Sequence, residues 1–269
     1  MKNILNEVIA NLHTKRTKYC RLKHKRGWLE YLDDGDLVFS PAELQETLRQ
    51  IIDKKGKRPR GDRLFSLRRK TSFTVKEDKT PYRLEEALER FIIVSNSDNF
   101  YNQVPIGGGK ESIDIGIKED DSKFIFVELK PWQSSNSPLY AIVESLKNLI
   151  EYRIIHEREI KNIPRYKEVE LYVLAPEEYY QSYSLIDEQE TYLKDKLSIL
   201  KGTLDSISSE FQSSIFLMAL QQDLDSFLTA CKKLYERNKI TGQRTVYVSE
   251  TDSIPSLARD KWKLLVSSG

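Results

Sequence analysis

The stretch "SIDIGIKEDDSKFIFVELKPW", Ser112 to Trp132, sets three charged side chains, Asp114, Glu128 and Lys130, into two apolar runs. Ile113, Ile115 and Ile117 alternate along the first run, and Ile125, Val127 and Leu129 along the second. That period of two predicts a pair of β-strands, antiparallel across the short connection Asp120-Asp121-Ser122. The six apolar residues are expected to share one buried face. A slip of one residue would turn a whole strand over, so only pairings whose residue numbers sum to an even value are allowed. With Glu119 beside Lys123 that sum is 242, which puts Asp114 opposite Glu128 and Lys130 on the same face as both.

Opposed side chains in a sheet have Cβ atoms ~5 Å apart. Two carboxylates ~4 Å apart repel by on the order of 1 kcal/mol in water, and by about 4 kcal/mol at an effective dielectric of 20. A divalent cation between them would turn that repulsion into coordination. Two carboxylates with a backbone carbonyl offer only hard oxygens, the set that suits Mg²⁺ or Mn²⁺. Lys130, about 6 to 7 Å from Glu128 along the strand face, would place an ammonium beside the metal, to stabilise charge on a phosphate or orient an attacking water. The competing reading is a solvent-facing sheet with a cross-strand ion pair between these acids and Lys130. Phe124 and Phe126, on the same face, weigh against it.

On the N-terminal side of this pair, "TPYRLEEALERFIIVSNS" predicts a helix starting at Thr80 and Pro81, with Leu84, Leu88, Phe91 and Ile92 on one face. "NFYNQVPIGGGK" reads as a strand running into the turn Gly107 to Gly109. Ile106 to Lys110 lacks the spacing of a phosphate-binding Walker loop, which leaves a strand-to-strand turn. On the C-terminal side, "SPLYAIVESLKNLIEYRIIHEREI" predicts a long helix from Ser137 and Pro138, and "EVELYVLAP" a buried strand. A helical region follows from about Leu185 to Ser208. "SSIFLMAL" and "TVYVSE" are further strands, with the helix "DLDSFLTACKKLYERN" between them. Before residue 80, helices are expected at about 2–13 and 41–54, the second with Ser40, Pro41 and Glu43 in a capping-box arrangement. A boundary near Lys79 divides a basic N-terminal region, 1–79, from a second unit, 80–269.

The 269 residues are 39% hydrophobic and 31% charged. No apolar run approaches the ~18 residues of a membrane helix, so no membrane partner is expected. "MKNILNEVIANLHTKR" lacks a small-residue cleavage site, and Cys20 and Cys231 form no zinc or disulfide framework. The expected compartment is cytoplasmic. The net charge of +2 hides an asymmetry: residues 1 to 80 hold 20 Lys and Arg against 11 Asp and Glu, and the remainder 23 against 30. The excess sits in "KRTKYCRLKHKR", Lys15 to Arg26, and "KKGKRPRGDRLFSLRRK", Lys54 to Lys70. Such blocks suit a phosphate backbone, through release of condensed counterions, or else form a solvated basic surface. Lys54, Lys55, Lys57, Arg58, Arg60, Arg68, Arg69 and Lys70 are the candidate nucleic-acid contacts. His13, His24 and His156 are dispersed and are expected on the surface or in helix packing.

An acid on one strand followed by Glu128-Leu129-Lys130 on the next resembles the PD-(D/E)xK nuclease superfamily. Its core order is helix, three strands, helix, strand, as read here over about residues 80 to 176. Glu85, with Leu88, Phe91 and Ile92 three, six and seven residues on, resembles the first-helix glutamate of resolvase-like members, and Glu89 is the second choice. In "ESLKNLIEY" Asn148 stands where the family more often has Gln, and Tyr152 fits the same pattern; Ile113 replaces the motif's proline. The resemblance implies an α/β restriction-endonuclease-like core, a central mixed sheet flanked by helices, with a basic N-terminal helical extension. It implies Mg²⁺ (or Mn²⁺) held by Asp114, Glu128, the Leu129 carbonyl and Glu85, Lys130 assisting the nucleophilic water, and Asn148 contacting nucleic acid. The implied activity is hydrolysis of DNA phosphodiesters by an endonuclease rather than an exonuclease, of a restriction or phage-defence kind. The implied partners are DNA, a second copy in a homodimer, or a defence-system protein. The competing function is a catalytically inactive nuclease-fold module that binds nucleic acid or a protein.

Overall fold

A computed structural model describes residues 42, 45, 46, 48–50, 67–106, 112–157, 164–186, 190–237, 244–249 and 256–269, with the side chains of 190–195 excepted. The helix expected over 2–13, the basic residues 15–26 and 54–66, and the glycine turn 107–109 lie outside the described residues. The elements in chain order are β1 (Ser72–Thr74), α1 (Leu84–Val94), β2 (Phe100–Pro105), β3 (Ser112–Lys118), β4 (Lys123–Leu129), α2 (Pro138–Glu157) and β5 (Glu168–Pro176). Then come α3 (Glu177–Ser182), α4 (Glu190–Phe211), β6 (Ile215–Leu220), α5 (Leu224–Arg237), β7 (Thr245–Tyr247) and β8 (Lys263–Ser267). Six strands form one mixed sheet in the order β2-β3-β4-β5-β6-β8, and β1 pairs with β7 in a separate ribbon. The chain is thus α/β, with a central mixed sheet flanked by helices.

The register of β3 on β4 is the one that apolar parity requires: Ile115 faces Val127, Gly116 faces Phe126 and Ile117 faces Ile125. β4 then runs parallel to β5, and β5 to β6. A parallel pair needs a crossover, and α2 and α4 supply the two here, covering a second face of the sheet. The isoleucine face was expected to be buried and the face with Phe124 and Phe126 to be at least partly so; both are covered. Ile115, Ile117, Ile125, Val127 and Leu129 pack with Leu88, Phe91 and Ile92 of α1 and with Phe227 of α5. On the other side Phe124 and Phe126 pack with Leu146 and Leu149 of α2 and Leu200 and Leu204 of α4, and Ile113 joins this second group rather than the first. Gly116 lies where the backbone comes close to that core. A Cβ there would sit 2.6 Å from Phe124 Cζ and 2.9 Å from Val104 Cγ2.

α2 starts as expected, with Ser137 Oγ accepting the Tyr140 backbone N–H at 3.2 Å. α1 does not. Thr80 is turned back by its own bonds to the Asp78 carboxylate, and Pro81 bridges to Val75, so the helix begins only at Leu84. The helical region expected from Leu185 divides into the short α3 and the long α4. β1 and β8 were not anticipated, being three and five residues long with no clear alternation. Phe73 and Val75 are buried with the α1 side chains, so the chain from about residue 72 shares this core. The described helical residues 48–50 reach the opposite core instead: Leu48 is buried in the α2 group and Arg49 pairs with Glu157. Among the described residues no helix is long and apolar enough to cross a membrane.

Candidate functional site

β3 and β4 bring Asp114 and Glu128 together at one end of the sheet. The ladder bonds run to Ile115 and Val127, and one residue further a side chain takes over: Asp114 Oδ2 accepts the Leu129 backbone N–H at 2.8 Å. Lys130 follows the end of β4. Its backbone N–H donates to the Leu174 carbonyl of β5 at 3.0 Å, which fixes the stem. Its ammonium donates to Glu128 Oε1 at 2.5 Å and to Glu144 Oε2 at 2.8 Å. Lys130 and Glu128 are only 5% and 8% exposed, which decides against the solvent-facing alternative for these two.

This arrangement is electrostatically loaded. Burial raises the Asp114 carboxyl well above the ordinary range, and the neighbouring charges of Glu128 and Glu85 push it further, against the pull of Lys130. Burial also raises Glu128, to about 7, with Glu144 and Glu85 adding to the shift and Lys130 opposing it. For Lys130, burial alone favours the neutral amine, yet Glu128, Glu144 and Asp114 outweigh it and hold the ammonium well above its usual value. A cluster of acids around one cation is therefore kept in a strained balance of charge.

Glu85 lies exposed in the first turn of α1, within the field of the site. Loss of solvent around its carboxyl raises it, Lys130 lowers it and Glu144 raises it. Glu89 is buried one turn on and occupied elsewhere. It bonds Arg90 Nη1 at 2.5 Å, and Arg90 Nε in turn donates to the Ser72 carbonyl at 2.9 Å. Burial pushes the Glu89 carboxyl to about 7. Glu85 and not Glu89 acts on the charges of both Asp114 and Glu128. Asn148 is buried on α2, one turn beyond Glu144 and so on the same side of the helix. Tyr152 faces the other end: its hydroxyl donates to the Pro164 carbonyl at 2.7 Å and accepts the Tyr166 N–H at 2.9 Å.

Of the candidate nucleic-acid contacts, Lys54, Lys55, Lys57, Arg58 and Arg60 lie outside the described residues. Arg68 and Lys70 are exposed. Arg69 is turned inward, where its guanidinium donates to the carbonyls of Ile93 at 3.0 Å, Asn96 at 3.2 Å, Phe100 at 3.3 Å and Ser97. It thus satisfies carbonyls around the C-terminal end of α1. Asn102 ties the same segment to β2, its amide bonding both the N–H and the carbonyl of Lys70.

Glu144 is the site residue that the sequence reading missed. A signal for it existed: a carboxylate one turn before Asn148 among the buried Ala141, Ile142, Val143, Ser145 and Leu146. Among the described residues no three His, Cys, Asp or Glu side chains stand close enough together to hold a metal ion. The donor set that remains is Asp114, Glu128 and the Leu129 carbonyl, with Glu85 beyond. Two desolvated carboxylates that raise each other's proton affinity, with hard oxygens only, fit a small divalent cation. No protein-family model, curated protein or solved structure matches the chain.

Proposed function

We propose that the protein is a Mg²⁺-dependent nuclease of the PD-(D/E)xK, restriction-endonuclease-like kind, acting on DNA phosphodiester bonds. The observation that carries this reading is the convergence of Asp114, Glu128 and Lys130 at one sheet end, half-buried or buried, with Glu144 on the ammonium. Asp114, Glu128 and the Leu129 carbonyl would hold the cation, with Glu85 completing the set. When bound, the metal supplies Lewis-acid polarisation of a phosphoryl oxygen and a more acidic water. The remaining contributions come from the chain. Lys130 is held protonated by three carboxylates, so it acts as a donor and a fixed positive charge rather than as a base. An ammonium beside the scissile phosphate stabilises the negative charge that grows on its oxygens. Glu144 keeps that ammonium in place when Glu128 turns to another cation. Burial of Glu128 and Lys130 under the end of the sheet keeps the local dielectric low, which strengthens each of these interactions.

The test is cleavage of plasmid and single-stranded DNA in Mg²⁺, Mn²⁺ and EDTA, by wild type, Asp114→Ala and Lys130→Ala. Metal-dependent cleavage that falls at least about 100-fold in each variant is expected. No cleavage with either metal, or cleavage that survives both substitutions, overturns the reading. The second reading is a nuclease-fold module that binds nucleic acid or a protein without cutting. It draws support from the Lys130 ammonium already seated on Glu128, where a cation would have to compete. DNA binding without cleavage in the same assay would select it.

A further inference from the structure

At the far end of α2 from Glu144, a pocket of about 400 Å³ opens beside the start of β5. We infer that this pocket binds the phosphoryl group of a phosphomonoester of nucleotide size, held by Arg153, Arg165 and Lys167 around His156. The inference does not rest on the nuclease reading, since none of these residues touches Asp114, Glu128 or Lys130.

Charge is the first argument. Arg153 and His156 come from α2, and Arg165 and Lys167 from the segment entering β5. Arg153 Nη2 donates to the Gln212 carbonyl at 3.1 Å and Arg165 Nη2 to the His156 carbonyl at 3.0 Å. Among the described residues neither guanidinium is in an ion pair, and Lys167 has no partner. The one acid in the lining, Glu157, is engaged by Arg49, and its charge also reaches Arg153 without bonding it. Three cations thus converge on one opening with no carboxylate among the described residues bonded to any of them. Most N–H donors of the two guanidinium forks stay available, the geometry that suits a tetrahedral oxyanion.

A buried polar atom is the second argument. His156 Nε2 is shielded from solvent and has no hydrogen-bond partner among the described residues. The ring is held edge-on to Tyr152, with centroids 4.3 Å apart, so the nitrogen is not free to swing away. Burial and the Arg165 charge depress the imidazole below its usual range, with the Pro164 carbonyl opposing. Arg153 and Glu157 face it from its own helix, Arg165, Lys167 and Tyr166 from the β5 side, and Gln212 from the end of α4. An anion among these groups would favour the imidazolium through its charge, and so bear on the buried Nε2 without having to touch it. The pocket volume falls within the range of small-molecule sites and exceeds what a bare phosphate fills.

The experiment is calorimetric titration of the full chain in EDTA. The probes are inorganic phosphate, deoxyadenosine monophosphate, and one oligodeoxynucleotide with and without a 5′-phosphate. They are compared for wild type, the double variant Arg165→Glu/Lys167→Glu, and Arg153→Gln. We expect saturable binding of the phosphomonoesters that weakens at least 10-fold in both variants. A preference for the free nucleotide or for the 5′-phosphorylated strand identifies the source of the group. Histidine NMR adds a second readout, since the chain has 3 histidines and His156→Gln assigns the signal. Phosphate should raise the His156 titration midpoint. Absence of saturable binding, affinity unchanged in both variants, or a His156 midpoint unmoved by saturating phosphate overturns the inference.

Discussion

Removing the Lys130 ammonium would leave Asp114, Glu128 and Glu144 facing one another without a cation. Breaking a buried ion pair from one side typically costs about 3 to 5 kcal/mol. Lys130→Met should therefore destabilise the metal-free protein by that order at pH 8, read by urea denaturation in EDTA. The cost should shrink at pH 5, where Glu128, with its midpoint near 7, is protonated. Equal losses at both pH values would defeat the electrostatic account. Glu128 makes a related prediction with a definite sign. Its carboxyl holds a proton in the folded state to about 7, against about 4.3 in an unfolded chain. Between those values the folded state binds more protons, so this group's contribution to stability falls as pH rises through the window. Glu128→Gln should flatten the pH dependence of unfolding by on the order of 3 kcal/mol across that range. Asp114, Glu128 and Lys130 were legible because apolar parity alone put them on one face. Glu144 was not, because a single acid on an otherwise buried helix gives no period to read.

In the β3–β4 hairpin, Gly116 is where the packing leaves no slack. A Cβ at that position would meet both the Phe124 ring and Val104. Gly116→Ala should cost about 1 to 3 kcal/mol by overpacking. Phe124→Leu in the same chain should return part of it, giving a favourable coupling in a double-mutant cycle. Additive losses would place the strain elsewhere. The hairpin's register, α2 with its Ser137 cap, and β5 were all readable from alternation and capping. The start of α1 was not, since Thr80-Pro81 has the form of a helix start while a local bridge from Pro81 back to Val75 claims it for a turn. β1 and β8 escaped for a different reason: strands of three and five residues owe their pairing to distant partners rather than to their own pattern.

Across the whole chain, positive charge gathers before residue 80 and negative charge after it. Under the nuclease reading, the basic residues grip DNA while the acidic site acts on it. Arg58→Glu, Arg60→Glu and Arg68→Glu together should weaken DNA binding. They should also reduce the slope of log affinity on log salt by roughly 0.9 for each phosphate that is no longer neutralised, as measured by fluorescence anisotropy at several salt concentrations. Unchanged affinity and slope would remove the basic region from the interface. Arg69 is left out of that set because its loss would free the carbonyls around the end of α1 and confound folding with binding.

The ribbon that joins β1 to β7 also bears on how the chain is made. Phe73 packs against Phe91, and Phe91 against Phe227 with ring centroids 4.9 Å apart, while Val246 of β7 closes over the same cluster. On a ribosome, β1 must therefore wait for its strand partner about 170 residues downstream, while α1 meets β3 and β4 much sooner. At the usual ~5 to 20 residues per second that wait is roughly 10 to 35 s. During it Phe73 and Phe91 lack the cover that Phe227 and Val246 give, which leaves part of an aromatic surface open to chaperones. The pace at which α5 and β7 are translated therefore sets how long that surface stays open.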